Sequence, residues 1–217
     1  ATKRKDYHAN RWMIMESKKH TVLVYGVGIN DASYNVTTWK MVLIDGKMKN
    51  MLIDKCPFYF CWKGMLERCY SPSFHTKHPT YTTCSVVKEW LTFSNFKSWM
   101  EEQKWEGKEL DKDLIIEGNK LYSPETCAFV DAATNVFITD SASARGDYPV
   151  GVVKVRHGKS RARRGNPIPN KREHLGYFDC PVVAHNTWKT RKHEIAIMLS
   201  VQQDDPRVAA ALQIKYK

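Results

Sequence analysis

Asp111 and Asn135 bracket the run LDKDLIIEGNKLYSPETCAFVDAATN, which extends from Leu110 to Asn135. A carboxylate and an amide oxygen that face each other suit a hard divalent cation such as magnesium. Asp113 is a second carboxylate in the same run and a reserve ligand. For Asp111 and Asn135 to meet, the chain between them must fold back. Leu110, Leu114 and Ile115 are the apolar positions of a first short strand, and Gly118-Asn119 is a turn signal at its tip. Cys127 to Val130 supply the returning strand, and Asp131 or Ala132 starts a helix that carries Asn135. Such a ββα unit closes the distance. The bland alternative is a plain hairpin with Asp111 and Lys112 on its surface.

The pattern LDKD…GNK.YSPETCAFV…N resembles the HNH-type nuclease motif, in the variant common among phage-encoded endonucleases. Upstream, W..ML.RCY…HPTY..CSV..EWL.FSNF..W, from Trp62 to Trp99, resembles the same family, so the likeness runs from about residue 60 to residue 137. The resemblance implies that Asp111 and Asn135 hold the metal and that Asn119 orients the base or the hairpin. It also exposes a departure. The family's Asp-His pair reads Asp111-Lys112 here, and a lysine with an unperturbed pKa near 10.4 is protonated at neutral pH and cannot accept a proton from water. His78, in the HPTY segment, is the best replacement base. Lys112 and Arg68 are expected to stabilise charge on phosphate. Arg68 as a solvated surface arginine is the alternative.

The chain has 217 residues, 34 Lys and Arg against 23 Asp and Glu, and a formal net charge of +11. That balance favours an acidic partner, double-stranded DNA first. No apolar run is long enough to span a membrane, and the first residues lack the apolar core of a secretory signal. The expectation is a soluble cytoplasmic protein, in the host cytoplasm if phage-encoded. The six cysteines form no CxxC pair, so reduced, buried thiols are expected. A structural zinc on Cys69, Cys84 and Cys127 with His75 or His78 is the less favoured alternative.

Taken in order, residues 1–57 read as a basic arm (Lys3, Arg4, Lys5, Arg11, Lys18, Lys19) followed by β structure. TVLVYGVGIN is read as a strand, then SYNVTTWKMVLI and KMKNMLID around an Asp45-Gly46 turn, packed beside the catalytic unit. Residues 58–140 form the HNH-like unit. Trp62, Met65, Leu66 and Cys69 fall on one helical stripe, residues 71–85 read as loop, and a second helix follows Val86, with Ser94 a candidate cap for a fresh turn. A linker is expected at 138–149, and residues 201–217 read as a tail with a short helix after Pro206.

Residues 147–200 differ in character. VGVVKVRHGKSRARRG gives two strands around the His157-Gly158 turn, EHLGYFD gives a third, and Asp179 caps a helix whose apolar face is Val183, Trp188, Ile195 and Met198. GVVK, RAR at 161–163, HLGYFD and PVVAHNTW resemble the AP2 DNA-binding domain, a three-stranded antiparallel sheet backed by one helix. The resemblance implies a sheet in the major groove, with Lys154, Arg156, Arg161, Arg163 and Arg164 as the DNA contacts. The aromatic usual before the strand-two alanine is missing, so no base preference carries over.

The fold expected is α+β: a ββα-metal unit plus a small AP2-like module. The function expected is metal-dependent DNA endonuclease, homing-type, using Mg2+ or Mn2+. The rival is a catalytically weakened or inactive HNH-like protein that acts by binding DNA, RNA or a host protein.

Overall fold

The computed structural model describes residues 22–139 and 148–217. The basic arm and most of the linker lie outside the described residues. The fold is mixed α+β with small sheets. The described residues contain no helix long and apolar enough to cross a membrane.

The first core gathers around α1 (Pro57–Tyr70), where Pro57 opens the helix and Trp62, Met65, Leu66 and Cys69 are buried. Against them pack Trp90, Phe93, Phe96 and Met100 from the segment that ends in α3 (Phe93–Glu101). The indole N–H of Trp62 donates to the Trp90 carbonyl at 2.6 Å, which satisfies the one polar group of that buried ring. Residues 71–85 are more ordered than a loop. Ser71 caps α2 (Pro72–Lys77) by accepting from the Phe74 amide at 3.4 Å, and a 3₁₀ turn follows at Pro79–Tyr81. Thr92, not Ser94, precedes α3. Ser94 instead holds Asp31, through its amide at 2.9 Å and its hydroxyl at 2.5 Å.

Two expectations for the N-terminal third are corrected. From Val22 on, the described part of TVLVYGVGIN is a turn with two single bridges, Val24 to Gly28 and Ile29 to Thr92, not a strand. The cause is close approach: a Cβ on Gly28 would lie 2.3 Å from Leu66 and 2.9 Å from Trp62, so backbone itself lines the core there. The second correction is the ribbon of β1 (Thr37–Ile44) and β2 (Lys47–Lys55). It pairs as expected around Asp45-Gly46 but stands out from the body, with every β2 residue exposed.

Around the run from Leu110 to Asn135, two short antiparallel strands are followed by a helix, in a register other than the expected one. β4 (Lys108–Asp111) pairs antiparallel with β6 (Ala128–Asp131), Asp111 opposite Ala128. Leu114 and Ile115 fall beyond β4, and Leu121–Tyr122 (β5) pairs parallel with Ser85–Val86 (β3). Asp131 caps α4 (Ala132–Ile138), accepting from the Thr134 amide at 2.8 Å.

In the C-terminal half, β7 (Val152–Lys154), β8 (Ser160–Asn166) and β9 (Lys171–Phe178) form an antiparallel sheet in that order, backed by α5 (Pro181–Ser200). Cys180 precedes α5 without a side-chain cap, so the Asp179 cap is not found. Trp188 and Ile195 are buried, but Val183 and Met198 are exposed. Ala184, Lys192, Ala196 and Leu199 complete the inward stripe. Gly151 has φ +78°, and a Cβ there would lie 2.0 Å from the Trp188 ring. Gly151→Ala should therefore cost at least about 2 kcal/mol, from strained backbone and overpacking together, read as a lowered midpoint in urea. An unchanged midpoint would contradict this packing.

The last helix, α6 (Pro206–Lys215), is no free tail. Val208, Ala211, Leu212 and Tyr216 share a core with Leu114, Val130 of β6, Phe137 of α4, and Ile195 and Leu199 of α5. Arg207 ties it further, donating to the carbonyls of Pro124 at 2.9 Å and Cys127 at 3.1 Å.

Candidate active site

A cleft of about 940 Å³ opens where β4, α4, α1 and the end of α6 converge. Its lining includes Asp111, Asp113, Glu109 and Asn135 beside Arg68, Lys108, Lys112 and Lys215. Oxygen donors and cations thus line one concavity. Asp111 and Asn135 line it together, as the folded-back run requires.

The Asp111 carboxylate is fixed by its own backbone. Oδ1 accepts from the amides of Asp113 at 3.0 Å and Leu114 at 2.7 Å, an Asx-type turn that ends β4. Among the described residues, Oδ2 accepts no hydrogen bond. Burial pushes this carboxyl above the usual carboxylate range and the neighbouring Asp113 adds to the rise, while the two amide bonds oppose it. Asn135, on α4, donates from Nδ2 to Glu109 Oε2, which leaves its carbonyl oxygen for other partners. Glu109 lies two residues before Asp111, on the same face of β4. Sequence reading passed over it, although that alternation is the signal that finds it. Lys215 was also missed, because nothing local in the sequence shows that α6 folds back to the cleft.

Asn119 holds the loop shut. Nδ2 donates to the carbonyls of Lys112 at 2.7 Å and Leu121 at 2.6 Å, and Oδ1 accepts from the Leu121 amide at 3.2 Å. Those bonds orient the hairpin. Arg68 is no solvated surface residue. Its Nε donates to the Tyr122 hydroxyl at 3.0 Å, and the guanidinium lies 5.6 Å from that ring's centre.

Lys112 stands where the sequence resemblance leads one to expect a histidine, and its contacts are those of a held cation. It is buried, and Nζ donates to Asp113 Oδ2 and to the Asn119 carbonyl, each at 3.0 Å. The rings of Tyr81 and Tyr122 flank it at 5.6 and 6.0 Å. Burial is the largest single influence and opposes the charge, but the Asp113 hydrogen bond, the Asp113 charge and the neighbouring Cys84 and Tyr81 together outweigh it and hold the amine above the ordinary lysine range. A raised folded-state pKa means stability that is complete below the unfolded value near 10.4 and lost as pH rises through the folded one. Lys112→Met should therefore cost about 1–3 kcal/mol at neutral pH, because the Asn119 carbonyl and Asp113 lose their donor, and the gap should close in strong alkali. Urea titrations at pH 7 and pH 11 check it; equal midpoints at pH 7 would contradict it.

His78 is not brought to this cleft. It is exposed at the end of α2, with its ring 4.4 Å from that of Phe74. Thr80 and Tyr81, which follow it, do line the cleft, so His78 flanks the site without lining it. His75 is turned away as well, its Nε2 lying 2.9 Å from the Arg68 carbonyl. Cys69, Cys84 and Cys127 are buried free thiols, and burial pushes those of Cys69 and Cys127 up to about 12. Protonated core thiols fit packing better than zinc ligation.

Compared with known protein families, curated proteins and solved structures, the chain matches none.

The site is thus read from its own chemistry, and the second candidate surface is the sheet. Arg161 and Arg163 share the outer face of β8. Tyr177 and His174 stand opposite them on β9, and Arg172 stands opposite Gly165. Arg163, Arg172, His174 and Tyr177 are exposed, Arg161 is half-buried, and the His174 and Tyr177 rings lie 4.7 Å apart. The three β9 residues were not singled out from sequence. Lys154 pairs with buried Ser160, so its register position belongs to the other face, although its side chain is exposed. The Arg156 side chain lies outside what the structure describes. Arg164 is corrected: with Ala162 it belongs to the inner face, where its guanidinium lies 4.3 Å from the Phe137 ring centre and 5.4 Å from that of Trp188.

A divalent cation can be tested against the cleft. No three His, Cys, Asp or Glu side chains among the described residues group to ligate a metal, so an all-protein cage is not what this cleft offers. Magnesium is usually held by one or two carboxylates with water and substrate phosphate completing its shell. Asp111, which still presents one carboxylate oxygen, with the Asn135 carbonyl, fits that pattern.

Proposed function

We propose that this protein is a metal-dependent DNA endonuclease of the HNH-like kind, acting in the cytoplasm, whose AP2-like sheet supplies affinity for double-stranded DNA. The observation that carries the reading is the cleft: Asp111 and Asn135 line the same concavity as Arg68, Lys108, Lys112 and Lys215. A phosphodiester needs both halves. The oxygens would hold Mg2+ or Mn2+, which when bound polarises the scissile phosphate and stabilises the leaving oxygen. The chain's own groups do the rest. Arg68, held by Tyr122, and Lys112, held by Asp113 and the Asn119 carbonyl, offer fixed positive charge to the phosphate oxygens. Asn119 keeps the hairpin that carries Asp111 and Lys112 in one conformation.

A specific observation favours a second reading. A protonated lysine follows Asp111, and His78 is not among the residues that line the cleft. On that reading the fold binds DNA without cutting it. Supercoiled plasmid incubated with Mg2+ and with EDTA separates the two. Nicking with Mg2+ alone supports the nuclease; duplex binding without nicking under either condition supports the non-catalytic protein.

A further inference from the structure

Arg164 bridges two surfaces that the proposed function otherwise leaves separate. It sits on the inner face of β8, between residues whose neighbours on the outer face are the proposed DNA contacts Arg161 and Arg163. Its Nη2 donates to the Phe137 carbonyl at 3.0 Å, at the C-terminal turn of α4. Its plane also lies over the Phe137 ring at 4.3 Å. A cation at the end of a helix that exposes carbonyls is well placed electrostatically, and the flat guanidinium stacks and donates at once, which an ammonium does not.

α4 carries Asn135, and α4 is short: Ala132 to Ile138. A helix of that length has no stable orientation of its own and takes its position from external ties. At its start these are Asp131, bonded to Thr134, and Gln203, donating to the Thr134 hydroxyl at 3.3 Å. At its end they are Tyr216, donating to the Ile138 carbonyl at 3.4 Å, and Arg164. Arg164 is the tie that comes from the sheet; Asn135 is also bonded to Glu109 of β4, and Phe137 shares a core with Ile195 of α5.

Resting on the nuclease reading above, we infer that Arg164 is a positioning residue that links the DNA-facing sheet to the Asn135 amide. Duplex engaged by the outer face of β8 shifts the strand, the guanidinium carries that shift to the Phe137 carbonyl, and α4 resets Asn135 within the cleft. Arg164 adds a direct polar link between the sheet and α4 to the apolar core that α4 shares with α5, and in this role it touches no DNA.

The experiment follows the Asn135 side-chain amide by NMR in the full chain, identified by its loss in Asn135→Asp, with and without a random-sequence duplex. Arg164→Lys keeps the charge and loses the stacked, forked contact; its melting temperature establishes that it folds, and Arg164→Ala is the second variant. Wild type should show the Asn135 resonance move when duplex binds. Arg164→Lys should bind with unchanged affinity and salt dependence, leave that resonance in place, and nick about 10–100-fold more slowly in Mg2+, the usual scale for an outer positioning contact. An equal Asn135 response in wild type and variant would overturn the inference. So would a salt slope flattened by about 0.9, which would make Arg164 a phosphate contact. Wild type that binds no duplex sinks the DNA reading and the coupling with it. Wild type that transmits the shift but never nicks sinks the nuclease reading and leaves the coupling standing.

Discussion

Asp111→Asn is expected to do two opposite things: stabilise the metal-free protein and remove cleavage. The ionised carboxylate is a cost to the apoprotein, because burial and Asp113 both push its pKa up. A carboxyl raised in the folded state contributes stability that is complete below its unfolded pKa near 3.9 and lost as pH climbs through the folded value. Above that folded value the contribution is gone. The amide removes the charge and keeps the oxygen that accepts from the Asp113 and Leu114 backbone. In EDTA the variant should therefore melt higher, by about 2–4 °C for each kcal/mol relieved. In Mg2+ only wild type should gain further stability by binding the ion. Nicking should fall by on the order of 10²–10³, the scale for losing one preorganised charge-stabilising group. Thermal scans in EDTA and in Mg2+, beside a nicking time course, measure all three. A variant that melts lower in EDTA and cuts like wild type would show that Asp111 is an ordinary turn residue.

The second large effect is on DNA affinity. Arg161 and Arg163 stand on one face of β8, framed by Tyr177 and His174. Each phosphate contact adds roughly 0.9 to the slope of log affinity against log salt. Replacing both with Ala should flatten that slope by about two. If one of them reads a guanine edge, the loss on the preferred sequence is instead about 1–3 kcal/mol and selective. Titrations on random and preferred duplexes at several salt concentrations distinguish these. Unchanged affinity and slope on both would move DNA binding away from this sheet face.

What the sequence made legible follows from what kind of signal each residue carries. Period and punctuation are local, so the stripe Trp62, Met65, Leu66, Cys69, the Asp45-Gly46 turn and the three C-terminal strands could be read directly. The pairing of Asp111 with Asn135 in one cleft was legible because a single fold-back joins them. Three things were not legible. Gly28 looks like part of an alternating strand, and only its contact with Leu66 and Trp62 shows why the backbone turns there. His78 sits in a suggestive motif, yet its ring packs on Phe74. Arg164 is one basic residue in a run of several, and strand alternation sends it inward while Arg163 faces out. Each depends on which side of an element a residue meets, and that is decided by partners distant in the chain: Lys215 reaches the cleft only because α6 packs against Leu114 and Val130.

Asp111 and Asn135 are proposed to hold a divalent cation together in the cleft. Manganese titrated into the protein and followed by the electron paramagnetic resonance signal of the free ion tests it without requiring catalysis. Wild type is expected to remove about one Mn2+ per chain from solution, with Mg2+ competing, and Asp111→Asn and Asn135→Ala are each expected to lose that uptake while remaining folded. Equal uptake in all three proteins, or none by wild type in the presence of duplex, would contradict the claim.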